Sequence, residues 1–265
     1  MTERYAVIGH PVAHSRSPWI HAEFARACGQ DIEYGRIDVP AGGFAAAADA
    51  FGKEGGKGLN VTLPFKEEAC RYAARLSDRA RKAGAVNTLT LGEPVFGDNT
   101  DGVGLTRDLA QNLGVALKGK QVLLMGAGGA AQGVIPALLE CAVGALTLAN
   151  RTEEKARALA ARFGCAASTY TALAGRRFDL VVNATSAGLA GEAPPLPAGV
   201  LAKDVLAYDM VYGRDTPFLA AARAAGARAS DGLGMLVEQA AESFFVWRGV
   251  RPQTAAVLGR LRAGA

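Results

Sequence analysis

Cysteine is scarce and scattered. The four, Cys28, Cys70, Cys141 and Cys165, lie far apart and none forms C-x-x-C. That argues against a disulfide framework and fits a reducing compartment, so the expected location is the cytoplasm. Histidine is scarcer still, with His10, His14 and His21 all near the start. No cysteine or acidic partner stands at ligand spacing, so no metal is expected and the histidines read as loop or packing residues. No apolar run reaches the roughly 18 residues of a membrane helix, and the first residues lack the apolar core of a signal peptide. No block of five or six like charges occurs, and a formal net charge of +4 is too small and dispersed for nucleic-acid binding. No repeat recurs at a fixed period. The expectation is a soluble protein, monomer or homodimer, without nucleic-acid or membrane partners.

What is present is alternation. Short apolar runs read as strands: "YAVIG", "IEYGRIDV", "KGLNVTL", "VNTLTL", "KQVLLMG", "ALTLAN", "DLVVNAT", "LAYDMVY" and "ARASDG". Amphipathic stretches such as "WIHAEFARAC", "EKARALAARF" and "PFLAAARAAG" fall between most of them. Strand and helix at this spacing predict an α/β fold with mostly parallel sheets. The 265 residues, half of them hydrophobic, suffice for two modest domains. A boundary is expected near residue 101, where "DGVGLTRDLAQNLG" reads as a helix leading into a second βαβ series. The chain closes with two amphipathic helices, "GMLVEQAAESFFVWRGV" and "TAAVLGRLRAG".

The second series opens with "KQVLLMGAGGAAQGVIPALLE", a buried strand, a glycine turn and a helix. Gly126, Gly128 and Ala131 match G-x-G-x-x-G/A: a tight turn, a backbone a pyrophosphate can approach, and a close helix–strand contact. The free N–H groups of the helix start then receive the pyrophosphate. The next strand ends in Asn150, Arg151 and Thr152, with Lys155 close behind. An NAD site places a carboxylate there for the ribose 2′-hydroxyl. Arg151 would instead grip a 2′-phosphate bidentately and Thr152 would donate to it, so NADP is the expected cofactor. Glu153 and Glu154 fall in the first helical turn, where acids suit the dipole.

The first half carries neutral hydrogen-bonding residues in loops after strands: "HSRSP", "NVTLPFK", "AVNT" and "GDNTDG". Each has a plain structural reading, such as Ser17 capping a helix ahead of Pro18. Together they suggest a polyhydroxylated anion as ligand. Ser15, Ser17 and a helix start would meet a carboxylate, and Asn60, Thr62 and Asn87 would read hydroxyls. Lys66 and Asp101 are opposite charges within these loops, a candidate pair for handling a proton.

These motifs, in order through "GAGGAA", "NRT", "NATSAG", "DMVY" and "DGLGMLVEQAA", resemble the shikimate/quinate dehydrogenase family over nearly the whole chain. The resemblance implies NADPH-dependent reduction of 3-dehydroshikimate to shikimate, in chorismate and aromatic amino acid biosynthesis. It implies a substrate domain (1–101 plus 236–265) around a Rossmann NADP domain (102–235). Lys66 and Asp101 become the catalytic pair, and Ser15, Ser17, Asn60, Thr62, Asn87, Tyr212 and Gln239 the substrate contacts. Gly126, Ala127, Gly128, Gly129 and Ala130 fall to the pyrophosphate, and Asn150, Arg151, Thr152 and Lys155 to the 2′-phosphate. Thr185, Met210 and Gly232 would lie along the cofactor, with Asp78 a further contact. Arg16 within "HSRSP" and the missing proline after Tyr212 depart from the family pattern. A dual shikimate/quinate dehydrogenase and a non-catalytic NADP-sensing protein are the rival readings.

Overall fold

A computed structural model describes residues 2–264, the side chain of residue 189 apart. The chain forms two compact units: residues up to Leu105 with those from Leu236 onward, and the contiguous stretch Thr106–Met235.

The first unit runs β1 (Glu3–Gly9), α1 (Ser17–Cys28), β2 (Ile32–Asp38), α2 (Phe44–Lys53), β3 (Gly56–Val61), α3 (Lys66–Tyr72), β4 (Arg75–Leu76), α4 (Asp78–Ala83), β5 (Thr88–Thr90), β6 (Phe96–Asp98) and the start of α5 (Asp101–Arg107). Its six strands are ordered β2-β1-β3-β5-β6-β4. β1 is parallel to both β2 and β3, while β5 runs antiparallel to β3 and β6 antiparallel to β5. That reversal has a consequence. β3 and β6 both end, and β5 begins, at one edge, with Asn60 opposite Thr88 and Thr88 opposite Asp98. The loops after β1 and β3, the residue before β5 and the loop after β6 therefore converge. Ligands of α/β sheets bind at such a carboxyl edge. One face of the sheet packs Ile8, Phe44, Leu59, Phe65 and Leu89 into a core.

The second unit continues α5 through a π-helical turn, Asp108–Asn112, into β7 (Gln121–Met125), α6 (Gly129–Glu140), β8 (Ala145–Ala149), α7 (Glu153–Phe163), β9 (Ala166–Ser168), β10 (Leu180–Asn183), β11 (Leu206–Asp209), α8 (Pro217–Ala224), β12 (Arg228–Ser230) and the start of α9 (Leu233–Arg248). Its strand order, β12-β11-β10-β7-β8-β9, is parallel throughout. Counted from β7 this is the 3-2-1-4-5-6 order of a Rossmann fold, with its switch point between β7 and β10. The rest of α9 and α10 (Ala255–Arg262) belong to the first unit.

Every predicted strand run contains a strand. Three further strands, β4, β6 and β9, have only two or three residues each, too short to show periodicity. Ser17 is not a cap: the helix begins at Ser17 itself, and exposed Arg16 takes the cap position without a capping bond from its side chain. Among the described residues no helix is long and apolar enough to cross a membrane.

Candidate active site

Lys66 opens α3. A cation at a helix N-terminus opposes the dipole, and the acids Glu67 and Glu68 of the same turn suit it better. Its ammonium Nζ lies 2.6 Å from Asp101 Oδ2, and the two side chains are only 12% and 5% exposed. An ordinary surface lysine would keep its head in water. Asp101 is held in turn: its Oδ1 accepts from Asn87 Nδ2 at 2.9 Å, and its N–H donates to Asn99 Oδ1.

A buried polar network surrounds the pair. Asn87 Oδ1 accepts the Thr100 N–H at 2.8 Å, and Asn87 Nδ2 also reaches Gln239 Oε1 at 3.2 Å. Gln239 therefore faces the network and not solvent. Asn60 Oδ1 accepts from Tyr34 Oη at 2.7 Å, and its Nδ2 donates to Ser243 Oγ at 2.9 Å and Asn87 O at 3.2 Å. Both hydrogens of Asn60 Nδ2 are thus used within the protein, leaving its oxygen as the group it can still offer. Ser15 Oγ accepts the Ser17 N–H, and Arg36 donates to Ser15 O at 2.6 Å, which fixes the loop after β1. The hydroxyls of Ser17 and Thr62 make no hydrogen bond among the described residues. Thr62 is held close: a Cβ on Gly9 would stand 2.3 Å from its methyl group. His21 is fully buried and stacked on Tyr34, ring centroids 4.2 Å apart. Burial pushes its imidazole down to about 3, so it is a neutral packing residue.

Beside this network lies an ion cluster that periodicity did not reveal. Arg79 on α4 donates twice to Asp98, at 2.7 and 2.6 Å, and once to Glu242 on α9 at 2.9 Å. Ser77 Oγ also donates to Asp98, and Arg251 to Glu242. The cluster fastens the returning helix to β6, directly before Asn99–Asp101. Asp78, the neighbour of Arg79, is 86% exposed and pairs with Arg81 one turn on, an ordinary helix-surface arrangement.

In the second unit Gly126 follows β7 with φ +114°, and a Cβ there would meet Ala184 O at 2.9 Å. Only glycine fits that turn. Gly128 differs, because a Cβ on it would meet nothing within 4 Å. The protein itself does not require glycine there, whereas a pyrophosphate lying on the backbone would. α6 starts at Gly129 with no side-chain cap, and Ala131 is fully buried against the sheet. At the end of β8, Asn150 Nδ2 donates to Thr152 O, and Thr152 stands at the α7 cap without a capping bond from its side chain. Arg151, Thr152 and Lys155 are exposed, and Glu153 pairs with Arg157. The residues fit a 2′-phosphorylated dinucleotide.

Thr185, Met210 and Gly232 are brought together by residues that sequence reading passed over. Asn183 Oδ1 accepts from both the N–H and the hydroxyl of Thr185, and Asn183 O accepts the Met210 N–H at 2.9 Å. Asp209 accepts from Asn183 Nδ2, Thr216 Oγ1 and the Val211 N–H. Burial raises its carboxyl against those bonds. A Cβ on Gly232 would stand 2.4 Å from Met210 O. Tyr212, half-buried, lies on the loop after β11 in this second unit, whereas the other residues expected at substrate lie in the first.

A Rossmann unit joined to an α/β unit with a buried lysine–aspartate pair defines a two-unit nicotinamide oxidoreductase. Family models described as shikimate dehydrogenase substrate binding domain, shikimate/quinate 5-dehydrogenase and shikimate 5′-dehydrogenase C-terminal domain match residues 7–89, 108–190 and 232–262. The chain is 57% identical to the shikimate dehydrogenase (NADP(+)) of Methylobacillus flagellatus, covering 98% of this chain and 99% of that one. It is also 57% identical to that of Aromatoleum aromaticum, covering 98% and 97%. The shikimate 5-dehydrogenase of Thermus thermophilus, solved with NADP(H) and shikimate, superposes with a TM-score of 0.89 at 36% identity over 100% of each chain. The chain belongs to the shikimate dehydrogenase family.

Proposed function

We propose that this protein reduces 3-dehydroshikimate to shikimate reversibly with NADPH, in the route to chorismate and the aromatic amino acids. The first unit holds substrate and the second the cofactor. The observation that carries the reading is the Lys66–Asp101 pair, 2.6 Å apart and nearly closed to solvent, at the edge where the loops after β1, β3 and β6 meet. When bound, the reduced nicotinamide supplies a hydride to the C3 ketone carbon. Lys66 meets the charge that develops on the ketone oxygen and delivers the proton that completes the alcohol. Asp101 keeps the ammonium aimed, itself held by Asn87 and the Asn99 side chain. Ser15, Ser17 and the start of α1 receive the substrate carboxylate, while Thr62 and the oxygen of Asn60 read hydroxyls. Asn87 acts mainly through Asp101, and Gln239 and Tyr212 complete the substrate contacts. Gly126 to Ala130 cradle the pyrophosphate, with Thr185, Met210 and Gly232 further along the cofactor. Exposed Asp78 is the weakest member of that set.

One spectrophotometric assay tests the reading: NADP reduction with shikimate, against quinate and against NAD. Turnover with shikimate and NADP is expected. Comparable rates on quinate would make the enzyme a dual dehydrogenase, and no NADP-linked turnover would return it to a sensing role. Arg151→Ala should raise KM for NADPH roughly tenfold or more, the scale of a lost charged hydrogen bond, and leave KM for NADH nearly unchanged. Equal changes in the two would remove Arg151 from the 2′-phosphate. The same reading puts the protein in the cytoplasm as a monomer or homodimer, which fractionation and sedimentation would check.

A further inference from the structure

Thr88, Thr100 and Ser243 are hydroxyl residues buried completely, and the proposed chemistry gives them no task. Ser243 lies on α9 one turn beyond Gln239, among buried apolar neighbours Val237, Ala240, Ala241 and Phe244. Packing alone would favour alanine there, the better helix former. A serine that bonds back to the preceding turn slightly destabilises its helix, so the hydroxyl calls for another reason.

The hydrogen-bond directions supply one. Ser243 Oγ lies 3.0 Å from Gln239 O, a group that can only accept. The one hydroxyl hydrogen is therefore committed to it. Toward its other neighbours Ser243 can only accept, through at most two lone pairs at a time. These are Asn60 Nδ2 at 2.9 Å, Thr88 Oγ1 at 2.8 Å and Thr100 Oγ1 at 3.1 Å. Asn60 Nδ2 has only longer alternatives, Asn87 O at 3.2 Å and Thr88 Oγ1 at 3.3 Å. Ser243 thus gives Asn60 Nδ2 its shortest bond and, with Asn87 O and Tyr34 Oη, sets which end of the Asn60 amide is spent inside the protein. Through Thr100 it also touches the residue whose N–H fixes Asn87.

We propose that Ser243 is a positioning residue. It locks the Asn60 amide with its oxygen available to a ligand hydroxyl, and it ties Gln239 to Asn60 and to the Thr100–Asn87 corner. The inference rests on the substrate role given above to the first unit. Without the hydroxyl, one Asn60 hydrogen loses its shortest acceptor, and the amide is held only by the longer bonds to Asn87 O and Thr88 Oγ1 and by Tyr34, so it turns more readily. A ligand hydroxyl would then meet the wrong end of it.

The test uses Ser243→Ala in the whole chain. KM for shikimate should rise roughly tenfold, the scale for a buried donor left without its acceptor. The turnover number should stay within about threefold and KM for NADP should not move, since the variant disturbs a ground-state contact. In the ligand-free protein, ¹⁵N NMR should show the Asn60 side-chain amide exchanging faster with solvent than in wild type. That readout needs no substrate. If the wild type does not turn over shikimate, the functional reading falls while the exchange result still decides the positioning role. Unchanged Asn60 exchange overturns the proposal whatever the kinetics, and so does an equal rise in both KM values. If Ser243→Ala fails to fold, Thr88→Val removes a hydroxyl from the same node and keeps the shape. It should raise the shikimate KM about threefold with NADP unaffected, and an unchanged shikimate KM overturns the proposal.

Discussion

Replacing Lys66 by alanine should lower kcat by about 10²–10⁴, the usual worth of a positioned proton donor, while KM for shikimate moves little. Two features make the effect this large. The Lys66 side chain is only 12% exposed, so bulk water is a poor substitute donor at that place. It is also aimed by a residue that the protein itself holds twice, at its carboxylate through Asn87 and at its backbone N–H through Asn99. A loss confined to kcat means the interaction is made in the transition state, whereas a loss confined to KM would mean Lys66 only binds. The variant leaves Asp101 buried without its cation, so steady-state rates must be read well below its melting temperature. Asp101→Asn provides the companion measurement. It keeps the shape and a hydrogen-bond acceptor, so it should retain more activity than Lys66→Ala. A kcat near wild type in Lys66→Ala would remove the lysine from the chemistry.

The second large effect is on stability. Arg79→Ala should destabilise the protein by about 3 kcal/mol, near the lower end for breaking a buried ion pair. The carboxylates Asp98 and Glu242 are 6% and 8% exposed, but Arg79 itself is 31% exposed, so solvent screens part of the interaction. Urea unfolding, read as a change in midpoint, measures it. An effect below about 1 kcal/mol would class the cluster with surface pairs. The pH dependence gives a sharper check. Burial tends to raise the Asp98 carboxyl, but the hydrogen bonds and charge of Arg79 outweigh it, helped by Ser77 and the Asn99 N–H, and the carboxyl sits below its ordinary value. A carboxyl depressed on folding contributes stability that is fully present above its unfolded value, about 3.9. That contribution is lost as pH falls through the lower folded value. Wild type should therefore lose this increment in acid. In Arg79→Ala the increment is already missing, so the penalty of the substitution should shrink below about pH 4.

Much of this was legible in the sequence, for identifiable reasons. β7, β8, β10 and β11 are buried on both faces and read as apolar runs. The Gly126 turn announces itself because its φ and its closeness to Ala184 admit no side chain. The Lys66–Asp101 pair could be proposed because few charges stand among the neutral hydrogen-bonding residues of those loops. What stayed hidden is of another kind. β4 and β6 are too short for a period, and the reversal of β5 that gathers the site loops is not written in any one segment. Ser243 and Glu242 carry a faint signal, one turn or less beyond Gln239 on α9. Their partners Asn60 and Arg79 lie 183 and 163 residues away, a distance no local pattern spans. Asn183 and Asp209 end hydrophobic strands, where they look like simple terminators. Their clamp appears only when β10 and β11 lie side by side.

The split composition of the first unit orders events on the ribosome. A nascent chain that has reached residue 235 contains the whole of the second unit, whose contacts are contiguous in sequence. It does not yet contain Gln239, Glu242 or Ser243. Until α9 emerges, Arg79 lacks one of its carboxylates and Asn60 Nδ2 its shortest acceptor. Domains commonly fold from the N-terminus as they are made. Here the part synthesised first is completed after the second unit, and the buried polar network around Lys66 closes only when α9 has been made.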